Sequence, residues 1–172
     1  MGTAASVDWS VVESRENPSF VLDTMLGRLA RWLRAMGYDT LYLGQAEDRH
    51  LLQIARNEAR ILVTRDRMLA RLAEPHSCLI RGERVDDQIL EAVQRLALST
   101  DDGDWLSRCL ECNTRLETGP RESFQGLVPE HVFLTQTDFK RCPGCDRIYW
   151  AGSHVDRMVE RLSRLLGRAR SP

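Results

Sequence analysis

The stretch SFVLDTMLGRLARWLRAMGYDTLYL, residues 19–43, decides the fold class of this chain. Its two ends, 19–23 and 40–43, are short apolar runs typical of buried strands. Between them, apolar side chains recur every three or four positions from Leu26 to Met36, which predicts an amphipathic helix. Two strands joined through a helix in so short a stretch indicate a βαβ unit, and therefore parallel strands.

The same alternation continues along the chain. Further strands are predicted at 61–64 and 77–80, and further helices at about 47–59, 66–73 and 86–98. This pattern predicts an α/β domain with a parallel sheet and helices on both faces. The segment LSTDDGD, 98–104, is typical of a linker. We therefore expect a polar N-terminal extension at 1–18, an α/β domain at 19–100 and a module at 105–172 that ends in a helix at about 153–168.

Bulk properties limit the classes of function. The net charge is −1, so there is no overall basic signature of nucleic-acid binding, and any such function must depend on local patches. No apolar run approaches the roughly 18–20 residues of a membrane span, so we expect no membrane association. The polar start lacks the features of a secretory signal, which favours the cytoplasm.

Four aspartates are predicted at one edge of the sheet. Asp23 follows the first strand and Asp66 follows the third, and these strands are neighbours if the order is 2-1-3-4. Asp48 and Asp86 each begin a helix that follows a strand, on the helix face predicted to be buried. In a parallel sheet, ligands bind beyond the carboxyl ends of the strands, where the strand order reverses.

Clustered carboxylates repel one another unless a cation lies between them. Mg²⁺ or Mn²⁺ prefers such oxygen ligands, and its bound water can attack a phosphodiester. The alternative is that Asp48 and Asp86 are ordinary helix caps, and that Asp66 caps the helix after its strand. Neither G-x-x-x-x-G-K-[ST] nor G-x-G-x-x-G occurs, so a nucleotide-binding loop is unsupported.

Arginines near this edge and on the last helix can position an RNA backbone. The alternative is that they are solvated helix faces or local charge balance. The candidates for RNA contact are Arg28, Arg31 and Arg34 on the first helix, Arg65 and Arg67 beside Asp66, and Arg157, Arg161, Arg164 and Arg168 on the last helix.

Two C-x-x-C pairs, Cys109 with Cys112 and Cys142 with Cys145, predict a structural zinc site. The gap between them exceeds the usual 15–20 residues, so we expect an inserted element, either a hairpin or a helix in PEHVFLT at 129–135. Gly144 is expected to supply unusual backbone freedom in the CPGC turn. A redox role is less favoured, because neither pair begins a thioredoxin-like βαβ unit.

The stretch LDTMLGRLARWLRAMGYDT, 22–40, together with ILVTRDRML, 61–69, and the two C-x-x-C pairs resembles the Mut7-C ribonuclease family. The resemblance covers about residues 19–155. It implies a PIN-like nuclease domain fused to a zinc ribbon, and metal-dependent RNA cleavage by a carboxylate cluster. Asp23 and Asp66 match the family pattern most firmly and Asp48 next, whereas Asp86 matches only by its position at a helix start.

Three functions are compatible with these patterns. The favoured one is a ribonuclease that uses catalytic Mg²⁺ or Mn²⁺ and carries a structural zinc ion. The second is a non-catalytic RNA-binding module with a PIN-like fold and a zinc ribbon. The third is a zinc-stabilised scaffold for a protein partner.

Overall fold

The computed structural model describes residues 17–167. The chain divides into two compact units, with the boundary between Leu106 and Ser107. The first unit is an α/β domain with a four-stranded sheet, and the second contains a three-stranded sheet. The predicted fold class is confirmed. Arg168 and most of the predicted N-terminal extension lie outside the described residues.

Four short parallel strands form the first sheet, in the order β2-β1-β3-β4. The strands are β1 (Phe20–Leu22), β2 (Thr40–Tyr42), β3 (Ile61–Thr64) and β4 (Ser77–Leu79). Leu22, the last residue of β1, lies opposite Tyr42 of β2 and Val63 of β3. The strand order therefore reverses at β1, and the carboxyl ends of β1 and β3 are neighbours.

Helices follow each of these strands. A 3-10 helix (Thr24–Leu26) leads into α1, and the helices of this unit are α1 (Gly27–Ala35), α2 (Asp48–Asn57), α3 (Arg67–Leu72) and α4 (Val85–Arg95). Each begins soon after a strand ends, so the N-termini of the helices open at the carboxyl edge of the sheet.

The core of the first unit lies on both faces of the sheet, because side chains alternate along each strand. Val21 and Leu62 pack against Leu51 and Ala55 of α2 and against Leu69 of α3. On the neighbouring helix α1, Leu29 and Leu33 are buried, and α1 contacts both β2 and α4. Burying a leucine in this way stabilises the fold by about 1.5–3 kcal/mol.

The prediction of a linker at 98–104 is wrong, because this segment packs against the first unit. The Tyr38 hydroxyl donates a hydrogen bond to the Ser99 carbonyl at 2.9 Å. The Leu106 N–H donates to the Ala35 carbonyl at 2.8 Å, and the Trp105 side chain is buried. The Asp- and Gly-rich composition correctly predicts irregular backbone, but apolar residues on either side of it anchor the segment.

The second unit is built on an antiparallel sheet in the order β5-β6-β7. Its elements are β5 (Glu117–Thr118), a 3-10 helix (Arg121–Phe124), α5 (Glu130–Thr135), β6 (Phe139–Arg141), β7 (Ile148–Trp150) and α6 (Ser153–Leu165). The helix predicted in the inserted segment is thus confirmed as α5. A small core of Phe124, Val128, Val132 and Phe139 holds this insertion on the sheet, whereas α6 buries Met158 and Leu162.

The packing of 98–106 gives a stability prediction at Gly37. Its φ is +91°, and an added Cβ would lie 2.5 Å from the Asp104 carbonyl oxygen. Gly44 is a matched control, because its φ is +71° but nothing lies within 4 Å of an added Cβ. We expect Gly44→Ala to lower the free energy of unfolding by about 1–2 kcal/mol. Gly37→Ala should lower it by roughly 2–5 kcal/mol, because overpacking adds to the backbone strain.

Urea unfolding of the two variants, followed by circular dichroism, measures this difference. Equal losses of stability in both variants would show that the segment is not held against Gly37.

Candidate functional site

Asp23 connects the carboxyl ends of β1 and β3. Its carboxylate directly follows β1 and is only 5% exposed. One oxygen, Oδ1, accepts the Met25 N–H at 2.7 Å. The other, Oδ2, accepts the Arg65 N–H at 3.1 Å and the Thr64 hydroxyl. Donors from both strand ends therefore fix the orientation of this carboxylate.

Asp66 lies at the same edge of the sheet as Asp23, but it is exposed to solvent. It is the N-cap of α3, where its Oδ1 accepts the N–H groups of Met68 at 2.6 Å and Leu69 at 2.9 Å. Its own N–H donates to the Thr64 hydroxyl oxygen at 2.9 Å. Its second oxygen, Oδ2, accepts no hydrogen bond from the residues that the structure describes. Asp66 is thus a helix cap that keeps one carboxylate oxygen available to a ligand.

Thr64 joins the two aspartates into one hydrogen-bonded group. Its hydroxyl donates to Asp23 and accepts from the Asp66 backbone, and the residue is fully buried. The sequence patterns assigned no role to this residue. A signal was present, because a hydroxyl residue ends a buried strand two positions before the candidate ligand.

Asp48 and Asp86 lie in the first turns of α2 and α4. They are not the caps of these helices: the N-cap positions belong to Glu47 and Arg84, and neither side chain makes a capping hydrogen bond. Asp48 is exposed and Asp86 is half-buried. Among residues 17–167, no group of three carboxylates has oxygens within 4.8 Å of one another. The structure therefore links Asp23 with Asp66 but does not gather all four aspartates into one compact group.

The predicted buried face of α4 is displaced from the observed one. The buried residues are Gln88, Ile89 and Ala92, whereas Leu90 is exposed. Asp86 and Leu90 are one helical turn apart, so they lie together at the side of the packed face. The expectation that Asp86 continues the buried stripe is wrong.

The three arginines of α1 that were predicted to contact RNA do not share one exposed face of the helix. Arg28 and Arg31 are exposed, but Arg34 is 4% exposed and its Nε donates to the Thr40 carbonyl at 2.9 Å. Arg34 lies one turn after the buried Ala30, so its stem follows the packed face of the helix. The prediction that Arg34 contacts RNA is therefore wrong, because its guanidinium supports the start of β2.

The other arginines occupy mixed environments. Beside Asp66, Arg67 is exposed and Arg65 is half-buried. On α6, Arg157 and Arg164 are exposed and Arg161 is half-buried.

The four cysteines of the C-x-x-C pairs come together in the second unit. Their sulfur atoms all lie within 4.8 Å of one another, an arrangement that can hold a metal ion. Sulfurs of different pairs lie close together, at 3.2 Å between Cys112 and Cys142 and 3.5 Å between Cys109 and Cys145. Four thiolates in such a group are the donor set of a structural zinc ion.

The two pairs form the same backbone turn. The N–H of Cys109 donates to the Thr114 carbonyl, and that of Cys142 donates to the Arg147 carbonyl. In each turn the residue after the second cysteine, Asn113 or Asp146, has a φ in the left-handed region, at 73° and 60°. Asn and Asp tolerate this conformation best among residues with a side chain, so C-x-x-C-[ND] is a sequence signal for the turn.

Gly144 is required for a different reason from the one expected. Its φ is not in the left-handed region; instead, an added Cβ would lie 2.5 Å from the Thr114 hydroxyl oxygen and 3.4 Å from the Cys112 sulfur. The residue must therefore be small, because the first turn packs directly against it. The expectation of unusual backbone freedom at this glycine is wrong.

The thiols of the cysteine cluster differ in pKa. Burial and the neighbouring Cys112 sulfur raise the pKa of Cys142 to about 12. Burial also acts to raise the pKa of Cys112, but hydrogen bonds with Thr114 outweigh it and lower this pKa to about 6. Thiols so close together cannot all become thiolates in the absence of a cation. A bound zinc ion would supply the compensating charge.

Within the described part of the chain, no helix is long and apolar enough to cross a membrane.

Comparison with known proteins gives one family. No curated protein and no solved structure matches this chain. A family model described as the Mut7-C RNAse domain matches residues 18–162, which include both aspartates at the sheet edge and all four clustered cysteines. The chain therefore belongs to the Mut7-C RNAse domain family.

Proposed function

We propose that this protein is a metal-dependent ribonuclease whose catalytic centre is built on Asp23 and Asp66. The observation that carries this proposal is the hydrogen-bonded group of Asp23, Thr64 and Asp66 where the strand order reverses. This position is where parallel sheets bind ligands. Membership of an RNase domain family supports RNA as the substrate.

The donor set at this edge suits Mg²⁺ or Mn²⁺. Mg²⁺ is usually held by one or two carboxylates, with water and substrate phosphate completing its coordination. Asp23 and Asp66 provide two carboxylates, and Asp66 keeps one oxygen without a hydrogen bond to the described residues. Asp48 and Asp86, at helix starts along the same edge, are further candidate ligands. When bound, the ion would supply an activated water and stabilise the negative charge of the transition state.

The protein residues around this centre would orient the substrate and its ligands. Thr64 and the Arg65 N–H hold Asp23, so the carboxylate need not reorganise during the reaction. The charges of Arg65 and Arg67 flank Asp66, and Arg28 and Arg31 add positive charge on α1. These arginines would hold backbone phosphates.

The second unit would be a zinc ribbon that contributes to RNA binding. Cys109, Cys112, Cys142 and Cys145 would hold a structural zinc ion. Arg157, Arg161 and Arg164 on α6 would then contact phosphates.

A second candidate is a non-catalytic RNA-binding module. The observation that favours it is the burial of Asp23, whose two oxygens are both occupied by hydrogen bonds within the first unit. In that case Asp23 would be a structural link between strand ends. RNA would bind without metal-dependent cleavage, and its affinity would depend on Arg161 and Arg164.

Asp66→Asn separates these candidates better than Asp23→Asn. Asparagine is as good an N-cap as aspartate, so its carbonyl can still accept the N–H groups of Met68 and Leu69. In Asp23→Asn, by contrast, the amide nitrogen is itself a donor and would face N–H groups that now donate to the carboxylate. That substitution would therefore disturb the structure as well as the charge. We expect Asp66→Asn to lower the rate of RNA cleavage on the order of a hundredfold or more, because a metal ligand loses its charge.

The cleavage rate is measured on mixed single-stranded and structured RNA with Mg²⁺, with Mn²⁺ and with EDTA. Asp87→Asn is the matched control, because Asp87 is an exposed aspartate in the first turn of α4. It should cleave at the wild-type rate. A fully active Asp66→Asn variant would contradict the catalytic proposal and favour the binding module.

The zinc proposal predicts a role for Tyr149. Its hydroxyl lies 3.1 Å from the Cys109 sulfur and accepts the Leu110 N–H at 3.2 Å. We expect one zinc ion per chain, and we expect Tyr149→Phe to weaken zinc affinity about tenfold, because groups that orient metal ligands contribute to affinity.

Zinc content by elemental analysis and competition with a chelator measure this effect. Tyr42→Phe removes the same kind of hydroxyl from the first unit, where it donates to the Thr24 carbonyl, and should leave zinc affinity unchanged. A wild-type protein that binds no zinc would contradict the proposal.

A further inference from the structure

The tetrapeptide Asp-x-Met-Leu occurs twice, at the ends of β1 and β3. The two copies are DTML, 23–26, and DRML, 66–69. In each copy the aspartate carboxylate accepts the N–H of the methionine, at 2.7 Å and 2.6 Å. The leucine that follows is 0% and 2% exposed, respectively. The methionine and the leucine are therefore placed in the same way in the two copies, whereas Asp23 is buried and Asp66 is exposed.

In each copy of the tetrapeptide, the methionine side chain is exposed to solvent. Met25 is 62% exposed and Met68 is 64% exposed. A single exposed apolar side chain needs no explanation. These two, however, each lie two residues beyond a candidate catalytic aspartate, in helical turns that follow two strands whose ends are hydrogen-bonded to each other. An apolar group thus stands beside each carboxylate at the same edge of the sheet.

Apart from the two candidate metal ligands, Asp23 and Asp66, the charge around these methionines suits a polyanion. The two helices that begin at these copies have no acidic residue in their first turn. By contrast, the first turns of α2, α4, α5 and α6 each contain an aspartate or glutamate. Near the methionines, the exposed Arg28 and Arg67 carry positive charge instead.

We propose that Met25 and Met68 contact the bases of an unpaired RNA strand, on either side of the phosphate bound at Asp23 and Asp66. These contacts would make the site specific for unpaired RNA over duplex RNA. This inference rests on the function proposed above. The thioether of methionine is polarisable and makes favourable contacts with aromatic rings, whatever the identity of the base. In an RNA duplex the base faces are stacked on each other, so only an unpaired strand offers them. Arg28 and Arg67 would hold the phosphates between the contacted bases.

Serine and leucine variants test this inference. Met25→Ser with Met68→Ser removes both apolar groups, whereas Met25→Leu with Met68→Leu keeps them. Leu72→Ser is the matched control, because Leu72 is 56% exposed at the far end of α3. Binding is measured by fluorescence anisotropy with Ca²⁺ in place of Mg²⁺, so that a divalent cation is present, using a short unstructured RNA and a backbone of the same length that carries no bases. Cleavage of the same RNA is measured with Mg²⁺ and Mn²⁺.

We expect the double serine variant to bind the unstructured RNA about tenfold more weakly than the wild type. The double leucine variant and Leu72→Ser should remain within about twofold of the wild type. All variants should bind the base-free backbone equally, which also shows that they are folded.

Equal loss on both oligomers, or no loss on either, would overturn the inference. If cleavage remains and neither affinity nor KM responds to the serine substitutions, the methionine contacts fail and the proposed nuclease stands. If the wild type cleaves no RNA but the serine variant loses base-dependent affinity, the contacts stand and the catalytic proposal fails.

Discussion

The candidate catalytic centre depends on one hydroxyl group. Thr64 donates to the Asp23 carboxylate and accepts the Asp66 N–H, so a single atom joins two strand ends. Neither valine nor alanine at this position could make either bond. The link also requires β1 and β3 to be adjacent, although β2 lies between them in the sequence. A crossover that places β2 on the outer side of β1 therefore creates the centre.

Both candidate sites arise from two copies of a local structure that the sheet pairing brings together. In the first unit the copies are the Asp-x-Met-Leu tetrapeptides after β1 and β3. In the second unit they are the C-x-x-C turns, one of which joins β6 to β7. Short-range hydrogen bonds fix each copy, and long-range pairing fixes the distance between copies. This division explains why the motifs are visible in the sequence and their mutual geometry is not.

Periodicity was enough to predict the fold of the first unit, because buried parallel strands and amphipathic helices leave different spacings of apolar residues. The cysteine cluster was also predictable, since spacing alone implies a shared ligand. Apart from the segment 98–104, the errors concern single side chains. Arg34 carries a charge that suggested solvent, but its long stem follows the packed face and its guanidinium reaches a backbone carbonyl. Gly144 was expected to relieve the backbone, but tertiary packing against Thr114 is what excludes a larger residue.

The close fit of the two cysteine turns has a consequence for metal selectivity. Gly144 against Thr114, and the Tyr149 hydroxyl between Cys109 and Leu110, hold the sulfurs by contacts that involve no ion. A cage fixed in this way resists rearrangement to a flat, square geometry. An ion that prefers square-planar coordination would have to deform the turns in order to bind, whereas a tetrahedral ion such as zinc would not. The absence of one methyl group at Gly144 would thus help decide which metal ions the four cysteines could hold.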